Sequence, residues 1–79
     1  MKIDARTVGE IIKKLRTEKK LSQEVLSGLA DISRSHLSMI EIGRKMPNLE
    51  IIIKISDALG IKPSELIRIV EQNIPDAEN

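Results

Sequence analysis

Four residues of this 79-residue chain combine side-chain types and spacing that can read the edge of a base pair: Arg34, Ser35, Ser38 and Met39. An arginine near the start of a helix can give two parallel donors to guanine O6 and N7. Serines at the next two outward positions can donate or accept at base edges or phosphates. Methionine is apolar and flexible and can pack on thymine methyl groups. Leu37 and Ile40, three apart between them, fall on the opposite side of such a helix and point inward. Taken by themselves these residues also fit a solvated helix face with two incidental serines.

Other chemistries find little to work with. Cysteine is absent, which removes disulfides and zinc fingers, and His36 is the only histidine, so no metal cluster is expected. There is no phosphate-cradling glycine loop and no paired carboxylate in a plausible cleft, so neither an enzyme nor a cofactor is expected. Phe, Tyr and Trp are all missing. Single-strand and RNA-loop binders commonly stack bases on such rings, so that class of function is disfavoured. No run of 18 or more apolar residues and no signal-peptide core occurs, so a cytoplasmic protein without a membrane partner is expected.

The net charge is only +1, but it is unevenly placed. Residues 1–45 hold ten Lys/Arg against six Asp/Glu, and residues 46–79 hold three against six. A cationic front and an acidic back would orient the molecule on a polyanion. Chance asymmetry on solvated faces would give the same count.

The elements that must position the four residues follow from local signals. Val8, Ile11, Ile12 and Leu15 recur at helical spacing, which predicts a first helix over 8–19, with Thr7 as N-cap and Glu10 as its capping-box partner. Ser22 caps a second helix to about Ala30, and Asp31 occupies the turn. Ser33 caps a third helix over 34–42, with Gly43 as its stop. Asn48 and Gly60 bracket a fourth helix, and Pro63 opens a fifth that runs to Gln72. Leu26, Ile32, Leu37 and Ile40 sit where the second and third helices would bury apolar groups against each other. Two short helices joined by a sharp turn, with the second open on one side, form a helix-turn-helix, the arrangement that presents a helix to a DNA major groove. The expected fold is all-α, a compact five-helix bundle. Residues 1–7 are expected to be a lead-in, 8–73 the domain, and 74–79 a C-terminal tail. A chain this short is expected to carry no ligand-sensing or peptidase domain.

From Val8 to Leu66 the chain resembles the Cro/repressor-type helix-turn-helix family, the xenobiotic-response-element type. The resemblance rests on the segments LRTEKKLSQEVL, ISRSHLSMIEIGRKMPNLE and ISDALGIKPSEL, in order and at the family's spacing. It implies a lambda-repressor-like DNA-binding domain with the third helix in the major groove. It puts the base-reading slots on Arg34, Ser35, Ser38 and Met39. Gln23 would approach a phosphate and brace the recognition helix. Ser33, Arg44, Lys45 and Asn48 would lie along the DNA backbone. Arg16 and Glu41 fill slots that often form a structural ion pair, and Arg16 can touch phosphate as well. The chain departs from the pattern at Lys20 and Asp31, where glycine is common, and at Leu29, Met39 and Ile42, which are apolar where many relatives are polar.

The fifth helix carries Leu66, Ile67, Ile69 and Val70, with Ile74 beyond, more than one apolar stripe. The surplus predicts a homodimer interface, unless the monomer buries all of it. A dimer would read half-sites about 34 Å apart on a pseudo-palindromic operator. The function expected is that of a sequence-specific transcriptional regulator on double-stranded DNA. The alternative is an antitoxin-like or adaptor module that binds another protein through Leu29 and the fifth helix.

Overall fold

The structure, a computed structural model, describes residues 2–75. Five helices follow in order: α1 (Ala5–Glu18), α2 (Gln23–Ala30), α3 (Arg34–Glu41), α4 (Leu49–Leu59) and α5 (Pro63–Gln72). No strand occurs among the described residues. The all-α expectation holds, and helices two to five begin and end within a residue of where their caps put them.

Those caps are made by short polar side chains. Ser22, Ser33 and Asn48 each accept a hydrogen bond from the backbone N–H three residues on, at 2.9–3.1 Å. A cap of this kind is worth about 1 kcal/mol, because it satisfies a donor with no partner inside the helix. Gly60 ends α4 at φ 76°, and Asp31 ends α2 at φ 57°, both left-handed. Lys20, between α1 and α2, is also left-handed at φ 59°. A glycine at this position would relieve that backbone.

The start of α1 differs from the expectation. Asp4, not Thr7, is the N-cap, and its carboxylate accepts from the Thr7 N–H at 2.7 Å. Both residue types cap well, but Ala5 and Arg6 are strong helix formers and extend the helix by most of a turn. Glu10 is therefore no capping-box partner; it lies 3.6 Å from Arg6 Nε on the exposed face.

The core is aliphatic, and every helix contributes to it. Ile12, Leu26, Leu37, Ile40, Ile55 and Leu66 are fully buried, with Val8, Ile11, Ala30, Leu59 and Val70 around them. Each such side chain contributes roughly 1.5–3 kcal/mol by leaving water. The helix α1 packs on α3, and α2 packs on α3 and α4, so α3 is held from behind by two elements.

The α1–α3 crossing depends on Gly9, whose role the spacing of apolar residues does not disclose. A Cβ there would overlap the Ile40 carbonyl oxygen and lie 2.9 Å from that of Glu41. Only hydrogen lets the two backbones approach this closely.

The apolar surplus on α5 is smaller than its sequence suggests. Leu66 and Val70 belong to the monomer's own core, and Ile69 and Ile74 pack against it in part. Of the five residues expected at a dimer interface, only Ile67 is largely open, at 48% exposure. The helix packs on both α1 and α4, so two stripes rather than one are covered. Ile67 joins Ile3, Met46 and Leu49 along a shallow apolar groove of about 250 Å³.

Candidate nucleic-acid interface

The recognition surface begins with how α3 is anchored. Ser33 Oγ accepts from the His36 N–H at 3.0 Å, which fixes the first turn. Its hydroxyl hydrogen stays available as a donor at the same end of the helix. Leu37 and Ile40 are completely buried and Glu41 nearly so. At 3.6 residues per turn, Arg34, Ser38, Ile42, Ser35 and Met39 share the other side, within an arc of about 140°. Arg34, Ser35, Met39 and Ile42 are exposed, Ser38 is half-buried, and His36 is half-buried at the edge.

Four of these side chains, Arg34, Ser35, Ser38 and Met39, line one open groove of about 360 Å³ together with Gln23 from the start of α2. The sequence-derived base-reading set is thus brought together in space. Ser33, Arg44, Lys45 and Asn48, expected along a DNA backbone, are exposed but do not line that groove. Arg44 and Lys45 follow α3 directly, and their backbone N–H groups donate to the Met39 carbonyl at 3.0 and 3.2 Å. This turn passes through Gly43 at φ 82°, pressed against the first turn of α1. Asn48 Oδ1 is committed to the Ile51 N–H at 2.9 Å, which leaves the amide NH2 of Asn48 as its donor.

Behind the groove lies a buried ionic network. Arg16 Nε donates to Glu41 Oε2 at 2.7 Å, and another guanidinium nitrogen donates to Oε1 at 2.9 Å. A third nitrogen donates to the Leu21 carbonyl at 2.8 Å. The Arg16 side chain is 10% exposed and the Glu41 side chain 1%. The hydrogen-bonded Glu41 carboxylate raises the Arg16 guanidinium above its usual range, against the opposing effect of burial. Both partners of a buried pair must be satisfied for it to be tolerable, and no buried side-chain polar atom lacks a partner among the described residues. Gln23 Nε2 completes the network by donating to Glu41 Oε1 at 2.9 Å.

Arg16 and Glu41 therefore form the ion pair that the family resemblance implied, and Gln23 braces α3 as implied. The Leu21 carbonyl is a member of the network that sequence reasoning missed. A backbone acceptor leaves no mark in side-chain identity, so no signal could have pointed to it.

No group of three or more His, Cys, Asp or Glu residues among those described could hold a metal ion. No helix among them is long and apolar enough to cross a membrane.

Comparison with known proteins meets the same segment. A family model described as helix-turn-helix matches residues 12–66. The control protein C.MunI of Mycoplasma sp is 43% identical over 65 residues, covering 81% of this chain and 88% of that protein. The immunity repressor protein of Bacillus phage phi105 is 43% identical over 61 residues, which cover 77% of this chain. The match spans only 42% of that repressor, and a match to multiprotein-bridging factor 1 of Candida glabrata spans only 40% of that protein. Among solved structures, the restriction-modification controller protein C.AhdI from Aeromonas hydrophila superimposes with a TM-score of 0.76 at 39% identity, covering 78% of this chain and 94% of the other. The clp gene regulator ClgR from C. glutamicum shares the fold, with a TM-score of 0.83 at 20% identity over 96% of this chain and 99% of the other. The segment that builds the groove and its buried brace is the segment these proteins share, and the chain belongs to the helix-turn-helix family of the Cro/repressor type.

Proposed function

We propose that the protein is a sequence-specific transcriptional regulator that binds duplex DNA with α3 in the major groove. One observation carries this reading: Arg34, Ser35, Ser38 and Met39 share the open side of a helix whose other side is locked by Leu37, Ile40 and the Arg16–Glu41 pair. In this reading those four residues contact base edges. Gln23, Ser33, Arg44, Lys45 and Asn48 contact the sugar–phosphate backbone, where cations and free N–H groups are favoured. A cytoplasmic location goes with the same reading. The names of the relatives, repressor and control proteins among them, support it.

We further propose a homodimer that uses the exposed apolar side chains beside the α4–α5 groove, Leu49 and Ile67 foremost, at 66% and 48% exposure. Two copies of α3 would then read a pseudo-palindromic operator with half-sites about 34 Å apart. Selection of bound duplexes from a random pool tests the whole reading. Symmetric half-sites at that spacing are expected; a pool that never enriches at low salt would end it.

A second reading has one observation in its favour. Leu29 is 62% exposed and Val25, one turn earlier on α2, 47% exposed. Both could seat another protein, as an adaptor or antitoxin would require. Failure of duplex selection, together with loss of a protein complex on Leu29→Lys, would establish it in place of the first.

A further inference from the structure

We propose that Met39 reads the C5 methyl group of a pyrimidine in the major groove and sets the base preference at that position. This rests on the duplex-binding reading and names the chemistry its groove selects. Met39 is 39% exposed, on the outward arc of α3, in a groove whose other lining side chains are all polar. Ile42, three residues on and 59% exposed, continues the same apolar strip. Neither side chain belongs to the monomer's core. Ser35 and Ser38, which flank Met39, are too short to cover it. Gln23 Nε2 is held by Glu41 at 2.9 Å, so the amide end of that side chain is drawn toward the brace.

An apolar side chain in this place gains only if the surface that enters the groove also offers an apolar group. Among major-groove edges the apolar projection is the C5 methyl of thymine. A 5-methylcytosine carries the same methyl on the same ring carbon, with an amino donor where thymine has a carbonyl acceptor. Methionine suits this contact, because three rotatable bonds let its thioether end settle on a methyl without a fixed register. Arg34 and the serines supply hydrogen bonds, and Met39 adds a readout that hydrogen bonds cannot give.

The test uses the full chain and a duplex taken from the selected pool. Each thymine of a half-site is replaced in turn by uracil, which removes only the methyl group. At one position the wild-type protein should lose about fourfold in affinity per half-site, the fold-change that corresponds to burial of one such carbon at about 0.8 kcal/mol. In Met39→Ala, which changes an exposed side chain and leaves the core intact, uracil and thymine should bind alike at that position. A second arm places cytosine or 5-methylcytosine there, each opposite guanine. A gain on methylation in wild type, absent in Met39→Ala, adds methylated cytosine as a ligand; no gain restricts the ligand to thymine. The proposal is overturned if no thymine-to-uracil change weakens binding, or if the loss persists unchanged in Met39→Ala. Those results leave duplex binding itself intact, whereas a pool with no bound duplex removes the underlying reading as well.

Discussion

Gln23 donates to Glu41 across 2.9 Å, and this bond ties a side chain of the open groove to the buried ion pair behind α3. The same carboxylate oxygen accepts from the Arg16 guanidinium at 2.9 Å. The ionic tie between α1 and α3 and the placement of Gln23 therefore meet at one carboxylate. A change at Glu41 reaches both the α1–α3 tie and the position of Gln23 in the groove.

Glu41→Ala should destabilise the fold by roughly 3–5 kcal/mol, because it leaves the Arg16 charge buried without its partner. Urea unfolding measures this. Replacing both residues by apolar ones of similar size should recover much of the loss. A single variant with unchanged stability would mean that Arg16 reaches water when its partner is gone.

Gly9→Ala should cost about 1–3 kcal/mol, the usual range for forcing a methyl group into a packed contact. The mechanism is a shift of α3 away from α1, since the added carbon meets the Ile40 backbone rather than a movable side chain. Gly28→Ala is the control. Nothing lies within 4 Å of its would-be Cβ, and in mid-helix the change should stabilise by about 0.5–1 kcal/mol. Equal melting temperatures for the two variants would refute the close-crossing account.

Arg34→Ala should weaken binding to the selected duplex by about 1–3 kcal/mol and relax preference at one base pair. Competition against single-base variants of the site checks both parts. A loss of the same size on every sequence would move Arg34 from base reading to the backbone.

Arg44→Ala should weaken binding to all duplexes and lower the slope of log affinity against log salt by about 0.9. Titrations at several salt concentrations read that slope. If it does not change, Arg44 neutralises no phosphate.

Asp4 links the first turn of α1 to pH. Its hydrogen bond from the Thr7 N–H lowers the carboxyl below its ordinary value of 3.8. A group depressed in the folded state stabilises fully above its unfolded value, and the contribution fades as pH falls through the folded one. Acid should therefore loosen α1 progressively below about pH 4 in the wild type. Asp4→Asn keeps a capping acceptor without a titrating group and should flatten this part of the acid profile. Backbone amide exchange in residues 5–8 follows the effect, and identical profiles for both proteins would rule it out.

What the sequence made legible, and what it hid, divides along a physical line. Ser22, Ser33, Asn48, Gly60 and Pro63 act on their own helix ends, so their chemistry can be read within a few residues. The alternation of buried and open positions on α3 follows from helical period alone, which is why Arg34, Ser35, Ser38 and Met39 were found together. The Arg16–Glu41 pair spans 25 positions, and only the family resemblance pointed to it. Gly9 was opaque because its importance lies in how closely α3 crosses it. Sequence spacing counts apolar residues such as Leu66 and Val70 without saying whether the monomer or a partner covers them, so both coverings stay open until the burial of the two side chains is seen. Asp4 and Thr7 compete for one task, and residue type alone does not choose between them.

Gly43 has a reach beyond its own turn. Its left-handed backbone sits so near Arg6 that a Cβ would come within 2.8 Å of the Arg6 Cα. Arg6, in the first turn of α1, thus backs the glycine that leads into the cationic pair Arg44 and Lys45, nearly forty residues further along the chain. Trimming the protein back to Val8 would spare the five side chains that line the Arg34 groove, yet it would take away the backbone against which Gly43 rests, so the start of α1 acts as a distant stop for the turn after α3.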